Sequence, residues 1–90
     1  MKTSTRTVDC FDYIMNTATL YTTLRLAVVD YSKPYRKHQA LSFVESAVRN
    51  ARKDYRKQFA GEVPPSWVTH TVNVEALLAF AKSMPDRFAR

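Results

Sequence analysis

Leu41, Val44, Val48, Ala51, Tyr55 and Phe59 recur at steps of three and four in a stretch free of glycine and proline. That spacing stacks side chains along one face of a helix with a period of about 3.6 residues, so the stretch predicts a long amphipathic helix whose stripe faces a core. Ninety residues make one domain, 1–90. A chain this short buries only about two-thirds of its unfolded surface, which calls for a single modest core.

The same region holds all of the net charge. Between residues 33 and 57 lie Lys33, Arg36, Lys37, Arg49, Arg52, Lys53, Arg56 and Lys57 against Glu45 and Asp54, which accounts for the whole formal charge of +6. Cations and acids balance on either side of it. Around the helix, Arg49, Arg52, Lys53, Arg56 and Lys57 fall on an arc of roughly 140°, mostly beside and opposite the apolar stripe. The plain explanation is a solvated face, with lysine and arginine as good helix formers suited to the C-terminal end of a helix dipole. The functional explanation is a ridge of positive potential that meets an anionic partner, either nucleic acid or an acidic protein surface.

Composition removes several classes of chemistry. Gly61 is the only glycine, so the glycine-rich loops that let a backbone approach phosphate closely are absent, and no nucleotide cofactor is expected. Cys10, His38 and His70 lie far apart and in no metal-ligand spacing, so no metal is expected. No nucleophile turn or base-and-orienter arrangement suggests catalysis, and the chain reads as a non-enzyme without a small-molecule substrate. The longest apolar run, Leu26 to Val29, is four residues against the roughly 20 of a membrane span. The N-terminal MKTSTRTVD offers no secretory signal, and the lone Cys10 cannot form an internal bridge. A reducing, cytoplasmic setting is the expectation. Cys10 itself reads as a small buried hydrophobe.

Four helices are predicted. The first spans about 8–18 with Phe11, Ile14, Met15 and Ala18 inward, and the second about 20–31 with Leu24, Ala27, Val28 and Tyr31 inward. The apolar phase shifts by one residue between them, and Thr17, Thr19, Thr22 and Thr23 supply the break, because short hydroxyl side chains compete for backbone hydrogen bonds. A β-strand over Leu20 to Val29 is the rival reading. Ser32 is the expected N-cap of the long helix, with Pro34 in its first turn and Gly61 at its end. Pro64 and Pro65 then hold an extended approach to Trp67, and Ser66 could cap a short turn. A last helix runs from Asn73 through Val74, Leu77, Leu78 and Ala81 and stops before Pro85. Residues 1–7 and 86–90 are expected to be flexible. Tyr31, Tyr35 and Tyr55 lie in or beside the basic segment, where packing or hinge roles are preferred over stacking on bases.

In order and spacing, Asp12-Tyr13-Ile14-Met15, Thr23-Leu24-Arg25-Leu26, the long helix with Phe43 and Ser46-Ala47, and Val63-Pro64-Pro65-Ser66-Trp67 resemble the Hha/YmoA family. Its members show D-Y-L/I-M, T-L-E/R, F-x-x-A-A-D-H-R and V/I-P-x-S-V-W. The resemblance covers roughly residues 9–68, without a gap from Phe43 to Ser66 and with a two-residue deletion upstream. It implies a small cytoplasmic helical protein that binds the oligomerisation region of an H-NS-type nucleoid protein and modulates gene silencing, with basic residues adding contacts to DNA. The family's acid in the long helix falls on Val48 here, and the acid after T-L falls on Arg25. The Trp67-Val68 order is reversed, and 69–90 extends past the family's usual end. The resemblance therefore implies a diverged member, or a contact moved to a different acidic partner.

Three functions follow from this reading. The first is a transcription or silencing modulator in which the eight cations of residues 33–57 meet an anionic partner, with Asp12, Arg25 and Trp67 as possible protein contacts. The second is a compact inhibitor or adaptor, of the kind phages and plasmids encode, whose basic helix docks on an acidic host protein. The third is a helix-turn-helix reader, disfavoured because the helix after Gly61 carries almost no base-reading side chain beyond Asn73.

Overall fold

A computed structural model of the chain describes residues 4–84 and is all-helical over them. Helix α1 spans Thr5–Met15, α2 Ala18–Tyr31, α3 Lys37–Gln58, α4 Ser66–Thr69 and α5 Val74–Lys82, with a 3-10 turn over Pro34–Arg36 leading directly into α3. The most extensive helix contact is between α2 and α3, and α1 and α5 pack against that pair. The flexibility expected of 1–3 and 86–90 concerns positions outside the described residues.

Helix α1 starts a turn earlier than the sequence suggests. Ser4 takes extended backbone angles and its Oγ accepts a hydrogen bond from the Thr7 amide at 3.3 Å, the N-cap arrangement that satisfies an orphan N–H. Residues 4–7, expected to be flexible, are thereby fixed, and Thr7 is buried. The break before α2 falls at Asn16–Thr17, two to three residues ahead of the boundary near residue 19 that the sequence suggests, and only the first of the four threonines makes it. Asn16 Nδ2 donates to the Asp12 carbonyl at 2.9 Å and Thr17 Oγ1 to the Tyr13 carbonyl at 3.2 Å, closing off the last turn of α1. Thr22 and Thr23 sit inside α2 and donate back to the carbonyls of Ala18 and Thr19, so the region alternative to a strand is a helix that absorbs its hydroxyls. Ala18 accordingly lies on the exposed side of α2 rather than on the apolar face of α1.

Leu20, Leu24 and Ala27 are the buried apolar residues of α2, while Val28 and Tyr31 are half-buried. Asp30 takes the inward position at the end of that stripe. Ser32 does not cap the long helix: its Oγ donates to the Val29 carbonyl at 2.7 Å and closes α2 instead. The start of the next element falls to Lys33 and Pro34, where the missing N–H of proline removes an amide that would otherwise lack a partner.

Along α3, Ala40, Val44, Ala47, Val48 and Ala51 are buried. Three of those five are alanines, and small side chains let neighbouring helices approach closely while keeping the helix itself stable. Leu41 and Tyr55 are half-buried at the edge of the stripe, and Phe59 is exposed beyond the last turn. Gly61 has φ +93° in the turn closed by the Glu62 amide on the Phe59 carbonyl, a conformation that favours glycine. Asn73 caps α5 as expected, its Oδ1 accepting from the Ala76 amide at 3.0 Å. Phe80 of α5 meets Phe11 of α1 edge to face at 5.0 Å.

Candidate anion-binding face of the long helix

The buried residues of α3 fix where its cations point. With the core on one side, Arg49, Lys53, Arg56 and Lys57 lie on the opposite side and are exposed, whereas Arg52, at the edge, is half-buried. Arg49, Lys53 and Lys57 have no hydrogen-bond or ion-pair partner among the described residues. Asp54, counted in the sequence as an acid within the basic stretch, turns the other way. It accepts a short hydrogen bond from the Tyr13 hydroxyl and another from Gln58 Nε2 at 3.0 Å. The outer face is therefore more positive than the linear count implies, with Glu45 the exposed acid beside it.

Two of the predicted ridge cations also serve the fold. Arg52 Nε donates to the Trp67 carbonyl at 3.0 Å and its Nη2 to the His70 carbonyl at 2.6 Å, and Arg56 Nη2 donates to the Val68 carbonyl at 3.3 Å. Arg6 adds a third hand, from Nη1 to the Thr71 carbonyl at 3.0 Å and from Nε to Ser66 Oγ at 3.4 Å. These arginines bond carbonyls at and just past the end of α4, a four-residue helix that supplies few partners of its own. Nothing in the local sequence of 66–71 says which cations will reach it. Arg52, read from the sequence as part of the ridge, is a half-buried anchor of the Trp67 and His70 carbonyls in the structure.

Trp67, considered as a protein contact, is 3% exposed and packs in an aromatic cluster, with ring centroids 5.1 Å from Tyr13 and 5.6 Å from Tyr55. Its face is covered by its own chain. Asp12 is exposed and Arg25 half-buried. Val48, where the resembled family carries an acid, is 4% exposed and part of the core.

At the other end of the basic stretch, Lys33 and Lys37 are exposed, while Arg36 Nη1 lies 3.5 Å from Asp30 Oδ1. Asp30 is only 8% exposed, so Arg36 supplies the counter-charge that makes its burial tolerable. Lys37 and Lys82 approach the ring of the half-buried Tyr31, at 5.8 and 4.5 Å. Tyr35 is 82% exposed, which corrects its expected packing role.

Among the described residues two titrating groups are clearly perturbed, the buried Cys10 and the half-buried Tyr13. Burial pushes the Cys10 thiol up to about 12, partly opposed by the charge of Arg52, and Cys10 is a free, buried cysteine. Burial also pushes Tyr13 up to about 12, reinforced by its hydrogen bond to Asp54 and by that carboxylate's charge. Neither is a nucleophile at neutral pH. Among the described residues no three His, Cys, Asp or Glu side chains converge as metal ligands, and no helix is long and apolar enough to cross a membrane. A cleft of about 370 Å³ opens beside the ridge, with Val48, Val72 and Val74 in its lining and Glu45 and Arg49 among its polar groups. No protein-family model, curated protein or solved structure matches this chain significantly.

Proposed function

We propose that this chain is a small, non-enzymatic regulatory protein of the cytoplasm that modulates transcription or gene silencing by laying the outer face of α3 on the phosphates of a nucleic acid, alone or beside an H-NS-type nucleoid protein. The observation that carries the reading is the partnerless set of Arg49, Lys53 and Lys57, opposite the core and joined by Arg56. Free cations on one rigid helix can displace condensed counterions from a polyanion without first breaking internal contacts. Their spacing along a helix that is anchored by its alanine-rich buried face keeps them in register. The nucleoid-protein part of the proposal rests on the resemblance in order and spacing of motifs. The burial of Val48 leaves the phosphate contacts as its stronger half.

The test is fluorescence anisotropy of a labelled duplex against salt. Four phosphate contacts predict a log–log slope of about −3.6, or a loss of roughly a hundredfold in affinity between about 50 and 200 mM salt. Reversing charge at Lys53 and Lys57 together should remove about half of that slope. Lys57 is the better partner for Lys53 than Arg56, which also holds the Val68 carbonyl. Affinity that is flat with salt would remove nucleic acid from the proposal. Capture of a purified H-NS-type protein after nuclease treatment would support the nucleoid branch, and retention of a different acidic protein under the same treatment would replace it with the inhibitor or adaptor reading.

A further inference from the structure

We propose that Tyr35 is a base-stacking residue, and that the nucleic acid met by this chain is single-stranded or locally unpaired. The proposal rests on the polyanion reading above and adds to it the form of the ligand. Tyr35 stands at the centre of the turn Lys33-Pro34-Tyr35-Arg36-Lys37 and is 82% exposed, the most open aromatic ring among the described residues. Tyr31, four residues earlier, shows the contrast: it is half-buried with two lysine amines near its ring.

The turn that presents Tyr35 is built. Proline locks φ at the preceding position, the Arg36 amide donates to the Lys33 carbonyl at 3.0 Å, and the Arg36 side chain is anchored on buried Asp30. An aromatic ring displayed on an ordered turn loses little freedom on binding. The Arg36 guanidinium carbon lies 5.8 Å from the ring centroid, loosely over one face, and leaves the ring open to a second planar group. Lys33 and Lys37 lie two residues to either side of it in sequence and are exposed, and no acid occurs between Asp30 and Glu45.

An exposed aromatic ring on a turn rich in cations is the arrangement that holds a strand by stacking one base while nearby cations meet the flanking phosphates. In a duplex the faces of the bases are already stacked on one another, so this turn gains its aromatic contact only where bases are unpaired. A protein partner is the weaker fit, because a tyrosine interface anchor works inside a water-excluding apolar surround, and within this turn the neighbours of the ring are three cations and Pro34.

The experiment compares the full-length chain with Tyr35→Ala and Tyr35→Phe, by anisotropy, on labelled oligo-thymidine of about 20 nucleotides and on a duplex of equal length. Tyr35→Ala should weaken binding to the single strand roughly tenfold, with duplex affinity changed by less than about twofold and Tyr35→Phe close to the parent. The melting temperature should not move, since the ring is exposed. Equal losses on strand and duplex, or no loss on the strand, overturn the stacking role. A parent that binds the duplex but not the strand overturns this proposal alone, while a parent that binds neither overturns the polyanion reading along with it.

Discussion

Arg52 and Lys53 are adjacent in sequence, carry the same charge and lie on the same helix, yet the structure assigns them opposite consequences. Replacing Arg52 by alanine removes the donors to the Trp67 and His70 carbonyls. The bond to buried Trp67 has little water to replace it and is worth about 1.5 kcal/mol, whereas the one to exposed His70 is worth about 0.5 kcal/mol. The sum, about 2 kcal/mol, corresponds to a fall in melting temperature of roughly 8–16 °C for a domain of this size. Lys53→Ala touches nothing in the fold and should stay within about 0.5 kcal/mol of the parent. Binding should reverse the order: Lys53→Ala lowers the salt slope on a duplex by about 0.9, and Arg52→Ala leaves it unchanged when measured where the variant is folded. Circular dichroism melts paired with salt-dependent anisotropy read both quantities. The reasoning fails if Arg52→Ala melts within about 2 °C of the parent, or if it lowers the slope as much as Lys53→Ala does.

Further expectations concern the interior. Tyr13 and Cys10 both titrate near 12 when folded, above their ordinary values of 10.0 and 9.0, so the neutral forms are favoured in the fold. Their contributions are fully present below the unfolded values and are lost as pH rises through the folded ones, which predicts a melting temperature that declines between pH 9 and about 12. Tyr13→Phe should flatten the upper part of that decline while lowering neutral-pH stability by about 1 kcal/mol through loss of the Asp54 hydrogen bond. The Cys10 thiol should react with a disulfide reagent at the rate of global or local opening, and at full speed only in denaturant; rapid native-state labelling near neutral pH would contradict its burial. Gly61→Ala should cost about 1 kcal/mol although nothing obstructs its Cβ, since φ +93° strains an L-residue; an unchanged denaturant midpoint would refute that origin.

Much of this fold is written locally. The α3 stripe, the existence of a break between α1 and α2, the positive φ of Gly61 and the Asn73 cap arise from short-range patterns that periodicity and side-chain chemistry report directly, whereas the sequence set that break near residue 19 and the structure sets it at Asn16–Thr17. The exact caps were less legible because neighbouring hydroxyls compete for the same role. Ser4 and Thr7 could each have opened α1, and Ser32 could as well close α2 as open α3. In both cases the hydrogen bond actually made depends on where the next element packs.

The tertiary structure decided which charges are available. By composition and helical phase, the sequence determined that the chain would be helical and that a basic face would lie opposite an apolar one. It could not show that Arg52 holds the carbonyls of Trp67 and His70, that Asp54 turns inward to Tyr13, or that Asp30 draws in Arg36 and leaves Tyr35 in solvent. Helical phase reports which side of a helix a residue occupies. Whether a side chain on that side remains free depends on distant backbone groups that need a partner, and those meet it only once the chain has closed on itself.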